Sequence, residues 1–448
     1  MTTQNENRPA KVCNTAKQAG ETETHKWDWV ERSVWTERML EALERGVKGN
    51  VWFSLIDKVC RLETLYAAWN KVRANGGSAG SDHQSIKEFQ RKLEGNLRRL
   101  EEELRTRTYN PRPVRRVYID KPGSKDKRPL GIPAVRDRVV QAAIRLVVEP
   151  IFEREFSPAS FGFRPGLGCK DALREVDRLL KSGYTHVVDA DIKAYFDSIP
   201  HEQLMNEVRK RISDGRVLEV LEAFLKADIL DEMSRWTPTG GTPQGAVISP
   251  LLANLYLHSV DLAMAGAGYR MIRYADDFVI LCQTQADAQG ALDLVSRLIE
   301  QKGLKLHPDK TKLVDLSQRG GAFDFLGYRF YRDSRYPRKK SLAKLKDAIR
   351  RKTGRSNGQS LAEIIEDVNM TLRGWYEYFK HANHRAFRPI DGWVRQRLRG
   401  ILRKRSKRTR GGISRGFDHI RWPNCYFHVH GLFCLEITHR TQLQSLRR

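Results

Sequence analysis

The chain has 448 residues, with 80 Lys or Arg against 54 Asp or Glu, so its formal net charge is +26 and its pI is near 9.9. This length exceeds what one simple core needs and predicts several domains. The positive excess predicts a polyanionic partner. It favours nucleic acid over a membrane surface, because no basic amphipathic helix with an aromatic face stands out and no apolar run reaches the roughly 18 residues of a membrane-spanning helix.

Cysteine usage and the N-terminal residues bear on the compartment. The six cysteines include no C-x-x-C pair, which is typical of a reducing environment without a disulfide framework. Residues 1–26 are polar and lack the apolar core of a signal peptide. We therefore expect a cytoplasmic protein of bacterial type, with an organelle as the open alternative, and no membrane partner.

In chain order, the residue pattern changes twice. From Trp27 to Leu104, "RSVWTERMLEALERGV" and "FQRKLEGNLRRLEEEL" carry apolar residues at three- and four-residue spacing, which predicts helices. From Asn110 to Phe330, short β-like runs such as "HVVDADI" and "DFLGYRFY" alternate with helical segments. From Lys340 onward the pattern is helical and very basic. The predicted class is α+β.

Two strand-like segments carry closely spaced carboxylates. "MIRYADDFVILC" (271–282) places Asp276 and Asp277 at the tip of a predicted hairpin. "THVVDADIKAYFDSIP" (185–200) places Asp189 and Asp191 on one face of a strand. Carboxylates from neighbouring strands repel one another unless a cation neutralises them, and oxygen-only ligands favour Mg²⁺. Two such ions form a clamp for displacement at phosphorus. A solvated turn is the alternative, and it is the more usual role of an isolated Asp-Asp pair.

These segments resemble the sequence boxes of reverse transcriptases, which occur here in the family's order. The resembling stretches are "RPLGIPAVRDRVVQAA" (128–143), "SFGFRPG" (160–166), "DIKAYFDSI" (191–199), "GTPQGAVISPLLANLYL" (241–257), "YADD" (274–277), "GLKLHPDKTKLVD" (303–315) and "FDFLGYRF" (323–330). "ANGGSAGSDHQSIKEF" (74–89) and "LRGWYEYFK" (372–380) are similar to group II intron reverse transcriptase/maturases of the endonuclease-lacking type.

The resemblance implies a right-hand polymerase with mixed α/β fingers and palm, an antiparallel palm sheet, a helical thumb and a helical N-terminal extension. The implied boundaries are 1–50 for an N-terminal tail and helix, 51–113 for the N-terminal extension and start of the fingers, 114–334 for fingers and palm, 335–405 for the thumb or maturase domain, and 406–448 for a basic DNA-binding-like segment.

The resemblance also assigns roles to single residues. The catalytic and metal-binding set is Asp191, Asp276 and Asp277, with the carbonyl of Ile192 as a further ligand of two Mg²⁺ ions. Asp189 matches no catalytic position and is interpreted as structural. The nucleotide-binding set is Arg115, Lys121, Arg128, Phe196, Gln244 and Gly245. Phe196 would exclude a 2′-hydroxyl, and the alternative is a core Phe. The three cations would hold the triphosphate, and the alternative is a solvated hairpin.

The C-terminal region gives weaker predictions. Its basic residues are expected to bind nucleic acid, and the set is Arg395, Arg399, Arg403, Lys404, Arg405, Lys407 and Arg408. Trp375 is expected in the core rather than stacked on a base. Cys425, His428, His430 and Cys434 fall too close together for usual zinc spacing, and the alternating aromatics there predict a strand instead.

The resemblance therefore implies an RNA-directed DNA polymerase that binds its group II intron RNA as a maturase for splicing and retrotransposition. Its expected partners are that RNA, an RNA template with a DNA primer, deoxyribonucleoside triphosphates and target DNA. With no second hydrolytic site expected after Arg410, it would extend an existing 3′ end rather than cut its own target strand. Two alternatives stay open, namely a free-standing relative in DNA repair or phage defence and an RNA-binding splicing cofactor without polymerase activity.

Overall fold

A computed structural model describes residues 27–120, 127–231, 234–354, 358–406 and 415–445. In the described N-terminal part, amphipathic helices precede the first strand. They are α1 (Glu37–Arg45), α2 (Ile56–Val59), α3 (Leu62–Asn75), α4 (Ile86–Arg91) and α5 (Leu93–Arg105). Ser85 and Glu88 form a capping box that begins α4. Apolar faces of these helices, including the buried ring of Trp69, pack into the first of the two hydrophobic cores of the described residues, together with Trp35, which precedes α1.

The middle of the chain alternates strands and helices. Its elements are β1 (Val114–Asp120), β2 (Lys127–Ile132), α6 (Val135–Glu153), α7 (Cys169–Lys181), β3 (His186–Asp191), α8 (Tyr195–Ser198), α9 (His201–Arg209), α10 (Gly215–Leu225), β4 (Ile229–Asp231), β5 (Ser234–Trp236), α11 (Ser249–Gly266), β6 (Arg270–Tyr274), β7 (Asp277–Cys282), α12 (Gln285–Gln301), β8 (Lys312–Asp315), β9 (Phe323–Phe325), β10 (Tyr328–Phe330) and β11 (Arg335–Pro337). These elements form three sheets, with strand orders β2-β1-β4-β5, β6-β7-β3-β8 and β11-β10-β9.

The central sheet, β6-β7-β3-β8, is antiparallel throughout, and its two inner strands, β7 and β3, carry buried residues on both faces. Because successive side chains of a strand point to opposite faces, Val188 and Ile280 enter the first core while Val187 and Val279 enter the second. Asp191 ends β3 and Asp277 begins β7, and the two residues are paired across the strands. The sheet therefore brings two of the predicted carboxylates together at one end of its inner strands. The predicted α+β class with an antiparallel central sheet is confirmed.

The C-terminal part is helical. It contains α13 (Lys339–Lys352), α14 (Leu361–Phe379), α15 (Phe387–Arg405), α16 (Arg415–Arg421), α17 (Asn424–Val429) and α18 (Leu435–Ser445). Helices α13, α14, α15, α17 and α18 share the second core with α7 and the β9-β10-β11 sheet. Tyr376 is buried there, and the Trp375 ring packs against that of Phe379 at 4.6 Å between centroids.

The strand predicted around residues 425–434 is wrong, because α17 (Asn424–Val429) begins there and a turn then leads to α18 at Leu435. Phe427 is fully buried, whereas Val429, two residues later, is 85% exposed. A strand with one buried face would give these two residues similar exposure. Among the described residues, no helix is both long enough and apolar enough to cross a membrane.

Candidate active site

The turn between β6 and β7 presents two adjacent carboxylates. Tyr274 pairs with Asp277, which leaves Ala275 and Asp276 as the turn itself. Ala275 has φ +60°, a left-handed conformation that non-glycine residues adopt at some energetic cost. The backbone at Gly162 lies directly behind it, since a Cβ there would be 2.4 Å from the amide nitrogen of Ala275. A side chain at residue 162 would push this turn away.

The acidic side chains at this end of the sheet strongly affect one another. Burial and then the charges of Asp189, Asp191 and Asp276 raise the pKa of Asp277 to about 7. Burial and the charge of Asp191 also raise the pKa of Asp276. Burial, followed by the charge of Asp324, raises the pKa of Asp189 to about 6. Burial and the nearby carboxylates therefore both disfavour the charged forms of these side chains in the folded protein.

Oxygen donors with excess negative charge are the ligand type that Mg²⁺ prefers. The bridge between Ile192 and Leu306 is made by Lys193 N to Lys305 O and by His307 N to Asp191 O. Neither bond uses the carbonyl of Ile192, which suits its predicted role as a ligand. In the described parts of the chain no three acidic, His or Cys side chains converge on one point. The fit to a divalent cation thus rests on donor chemistry and uncompensated charge.

Lys310 is a site residue that the sequence reasoning missed. Its ammonium forms an ion pair with the Asp191 carboxylate. Together with Arg128, it also opposes the rise in the pKa of Asp276. The stretch "HPDKTK" was identified only as part of the palm, because nothing in its local pattern indicates that Lys310 reaches Asp191.

The predicted nucleotide-binding residues fall into three environments. Arg128 donates to the side-chain oxygen of Gln244 at 2.6 Å, and the backbone of Gln244 accepts from Gly131 N at 2.7 Å. Gly245 has φ +111°, and a Cβ there would lie 2.6 Å from Gly131 O, so only glycine fits this close approach. The structure therefore brings Arg128, Gln244 and Gly245 together.

Arg115 is not placed with that group. Arg115 donates to the carbonyl of Ala79, which ties it to the N-terminal helical region. Its neighbour Arg116 points to the other face of β1 and lies over the Trp236 ring at 4.9 Å. There it lines a cavity of about 270 Å³ together with Gln244. Lys121 lies outside the described residues.

Phe196 sits in an aromatic group beside the carboxylates. It is buried in α8, and its ring meets that of Phe163 at 6.4 Å between centroids. The Phe163 ring also lies 6.5 Å from Tyr274, and Phe163 is 43% exposed with φ +60°. Phe163 is a second residue that the sequence reasoning missed, because nothing in "SFGFRPG" indicates which ring stays exposed.

The predicted nucleic-acid-binding residues of α15 are largely engaged with the protein. Arg399 is buried and donates to Trp422 O and to the side chain of Asn424, each at 2.9 Å. Arg403 pairs with Asp418, and Arg405 donates to Gln359 O. The Nε atom of Arg395 is buried without a hydrogen-bond partner among the described residues. Lys404 also makes an interaction, and Lys407 and Arg408 lie outside the described residues.

The Cys/His segment is part of the C-terminal packing. Cys434 is buried with its Sγ 3.1 Å from a carboxylate oxygen of Asp391, which also accepts from the backbone at the start of α18. Cys425 is exposed, and the His430 ring contacts the carbonyl of Tyr426. His428 makes the C-terminal turn of α17. The described residues here contain no group of three metal-ligand side chains.

Comparison with known proteins adds two matches along the chain. Reverse transcriptases (RNA-dependent DNA polymerases) match residues 119–330, and the maturase-specific domain of group II introns matches residues 342–417. The group II intron-encoded protein LtrA of Lactococcus lactis subsp. cremoris is 36% identical over 231 residues, which cover 50% of this chain and 38% of LtrA. Protein YkfC of Escherichia coli K12 is 36% identical over 288 residues, covering 55% of this chain and 74% of YkfC.

This chain thus spans well under two thirds of the length of LtrA. Among solved structures, a chain of a partial Cas6-RT-Cas1–Cas2 complex is 28% identical, with a TM-score of 0.37 over 55% of this chain and 41% of that chain.

Proposed function

The chain belongs to the group II intron reverse transcriptase/maturase family, and from this membership and its carboxylate geometry we propose that it is an RNA-directed DNA polymerase that also acts as a maturase. The single observation that carries the proposal is the pairing of Asp191 with Asp277 at the end of the inner strands of the central sheet, next to Asp276. A family match alone would allow a chain with a decayed site, whereas this chain keeps an aspartate at all three positions and pairs Asp191 with Asp277 across the strands.

In this proposal the carboxylates of Asp191, Asp276 and Asp277, with the carbonyl of Ile192, hold two Mg²⁺ ions. Bound divalent ions supply neutralisation of charge on the attacking and leaving oxygens of a phosphoryl transfer. The protein positions the reactants. The raised pKa of Asp277 comes first from burial and then from the neighbouring carboxylates, and a bound cation would favour the charged form against both effects.

The neighbouring residues bind and select the nucleotide. Arg128, fixed by its hydrogen bond to Gln244, holds the triphosphate. Lys121, which lies outside the described residues, is proposed to assist it. Gly245 lets the backbone approach the nucleotide closely. The Phe196 ring, supported by Phe163, occupies the space that a 2′-hydroxyl would need, and so favours deoxyribonucleotides. Arg115 contributes indirectly, by tying β1 to the N-terminal region.

The proposed partners are a group II intron RNA, an RNA template paired with a DNA primer, and target DNA. The net charge of +26 supports polyanion binding, and the maturase-specific match supports intron RNA as one of these polyanions. Arg399, Arg403 and Arg405 make contacts within the protein, so part of the positive charge of α15 stabilises the packing of the C-terminal helices. We therefore propose one nucleic-acid contact region and do not assign single residues to single phosphates. This region contains those three arginines with Arg395, Lys404, Lys407 and Arg408.

A primer-extension assay with intron RNA binding as its second readout tests the proposal. The parent protein should extend a DNA primer on an RNA template, and Asp276→Ala should abolish extension while binding intron RNA and promoting splicing as the parent does. Extension by this variant at the parent rate would reject the carboxylate assignment. A parent that promotes splicing but never extends a primer would leave the splicing-cofactor alternative.

A further inference from the structure

A fully buried arginine lies next to the carboxylate turn. Arg273 is the penultimate residue of strand β6 and is 2% exposed. Burying a guanidinium is strongly unfavourable unless its donors are paired. Its Nε and Nη2 atoms donate to the two carboxylate oxygens of Asp261 on α11, at 2.7 and 2.5 Å. This bidentate pair uses the Nε and Nη2 donors of the guanidinium, and Nη1 donates to other groups.

The remaining donors reach the turn itself. Nη1 of Arg273 donates to the carbonyl of Ala275 and to the side-chain oxygen of Asn254, each at 3.0 Å. Ala275 is the left-handed residue immediately before Asp276. Asn254 in turn donates to the carbonyl of Gly162 at 2.6 Å, and Gly162 is the residue packed behind the turn.

The backbone of Arg273 completes the connection. Its amide donates to Ala159 O at 2.9 Å, and its carbonyl accepts from Phe161 N at 2.8 Å. Arg273 therefore connects three parts of the fold through its side chain and its backbone. These parts are helix α11, the loop at residues 159–162 and the turn between β6 and β7. The planar guanidinium is suited to this role, because it presents several donors in fixed directions, whereas a lysine ammonium is a flexible point charge.

We propose that Arg273 is a positioning residue, which Asp261 and Asn254 hold in place so that it fixes the left-handed Ala275 and thereby the direction of the Asp276 and Asp277 carboxylates. This inference rests on the proposed function, because it assigns a role in that same site. Stability alone does not account for the arrangement, since replacing a buried ion pair by apolar residues of similar size is often neutral or stabilising.

Two variants separate positioning from stability. Arg273→Lys keeps a cation beside Asp261, but a lysine cannot donate hydrogen bonds to Asp261, Asn254 and Ala275 at the same time. The double variant Asp261→Leu with Arg273→Met removes both charges and leaves no unpaired buried ion. The matched control is Glu207→Gln with Lys302→Met, which removes another poorly exposed ion pair, 2.5 Å long, that joins α9 to the end of α12.

The readouts are hydrogen exchange of the amides at residues 272–279, thermal unfolding, and steady-state primer extension. We expect the turn amides of Arg273→Lys and of the double variant to exchange about tenfold faster or more, without matching changes elsewhere. We also expect kcat to fall by about tenfold to roughly 100-fold with little change in KM for nucleotide, because small displacements of reacting groups have effects of this size. The control variant should match the parent in all three readouts.

Parent-like turn exchange and kcat in a folded Arg273→Lys protein would overturn the inference, and so would a loss shared equally by the control variant. If the double variant does not fold, Arg273→Lys decides the matter by itself. A parent protein without primer extension would contradict the proposed function, whereas hydrogen exchange would still report on how Arg273 holds the turn.

Discussion

In the presence of a chelator, Asp277→Asn should raise the free energy of unfolding of the protein, and this increase should become larger as the pH rises. Burial and three neighbouring carboxylates raise the pKa of Asp277 from 3.8 to about 7. Because the folded state disfavours the charged form, the stability associated with Asp277 is complete below a pH of about 4 and is lost as the pH rises through about 7. The difference between these two pKa values corresponds to about 4 kcal/mol.

An asparagine carries no charge to be disfavoured. Relative to the parent, the free energy of unfolding of Asp277→Asn should therefore be higher by about 4 kcal/mol at pH near 8 and by about 2 kcal/mol at pH near 5, from the same titration. Saturating Mg²⁺ should raise the unfolding free energy of the parent at pH near 8, because a bound cation neutralises the negative charge of Asp277. It should have much less effect on the variant, which lacks that charge.

The assay is urea unfolding in the presence of a chelator across this pH range, repeated with Mg²⁺. Asp309→Asn is the control, since its side chain is 89% exposed close to the same site and its stability should follow the parent at every pH. A variant no more stable than the parent at pH near 8 would refute the reasoning. A gain of the same size at both pH values would equally refute it, because it would come from packing rather than titration.

Three further predictions concern substrates. Phe196→Ala should use ribonucleotides more readily relative to deoxyribonucleotides in single-nucleotide addition, because the ring beside Phe163 is gone; an unchanged selectivity ratio would make Phe196 a core residue only. Arg128→Gln should raise KM for the nucleotide by about tenfold or more with a smaller effect on primer–template affinity, and a KM equal to that of the parent would remove Arg128 from the triphosphate site. A triple variant with glutamine in place of Arg403, Lys404 and Arg405 should show a weaker salt dependence of template binding. The slope of log affinity against log salt concentration should decrease by about 0.9 for each phosphate that the protein no longer neutralises. A slope equal to that of the parent would place the template-binding surface elsewhere.

The central sheet and its carboxylates were predictable from local pattern. Short runs of apolar and β-branched residues marked β3 and β7, and the two Asp-containing segments were correctly placed on neighbouring strands. The family resemblance was confirmed by the matches over residues 119–330 and 342–417. The site-residue roles and the domain boundaries stay predictions.

Other features depend on contacts that a local pattern cannot reveal. Arg273 looks like one more residue of a strand until Asp261, which lies 12 positions earlier on a different element, is seen to pair with it. Lys310 approaches Asp191 only through the bridge between distant segments. The strand predicted near Phe427 failed because an alternation of a few aromatic residues does not distinguish a strand from a short helix.

The most direct test of the central claim is single-nucleotide addition to a DNA primer on an RNA template, measured over a wide range of Mg²⁺ concentrations at equal occupancy of the primer–template. The parent rate should rise and saturate with Mg²⁺. Asp277→Asn, which keeps the shape of the side chain but removes the charge, should show no addition at any concentration, although it binds the same primer–template. An Asp277→Asn protein that reaches the parent rate at any Mg²⁺ concentration would contradict the claim that the paired carboxylates carry out DNA synthesis.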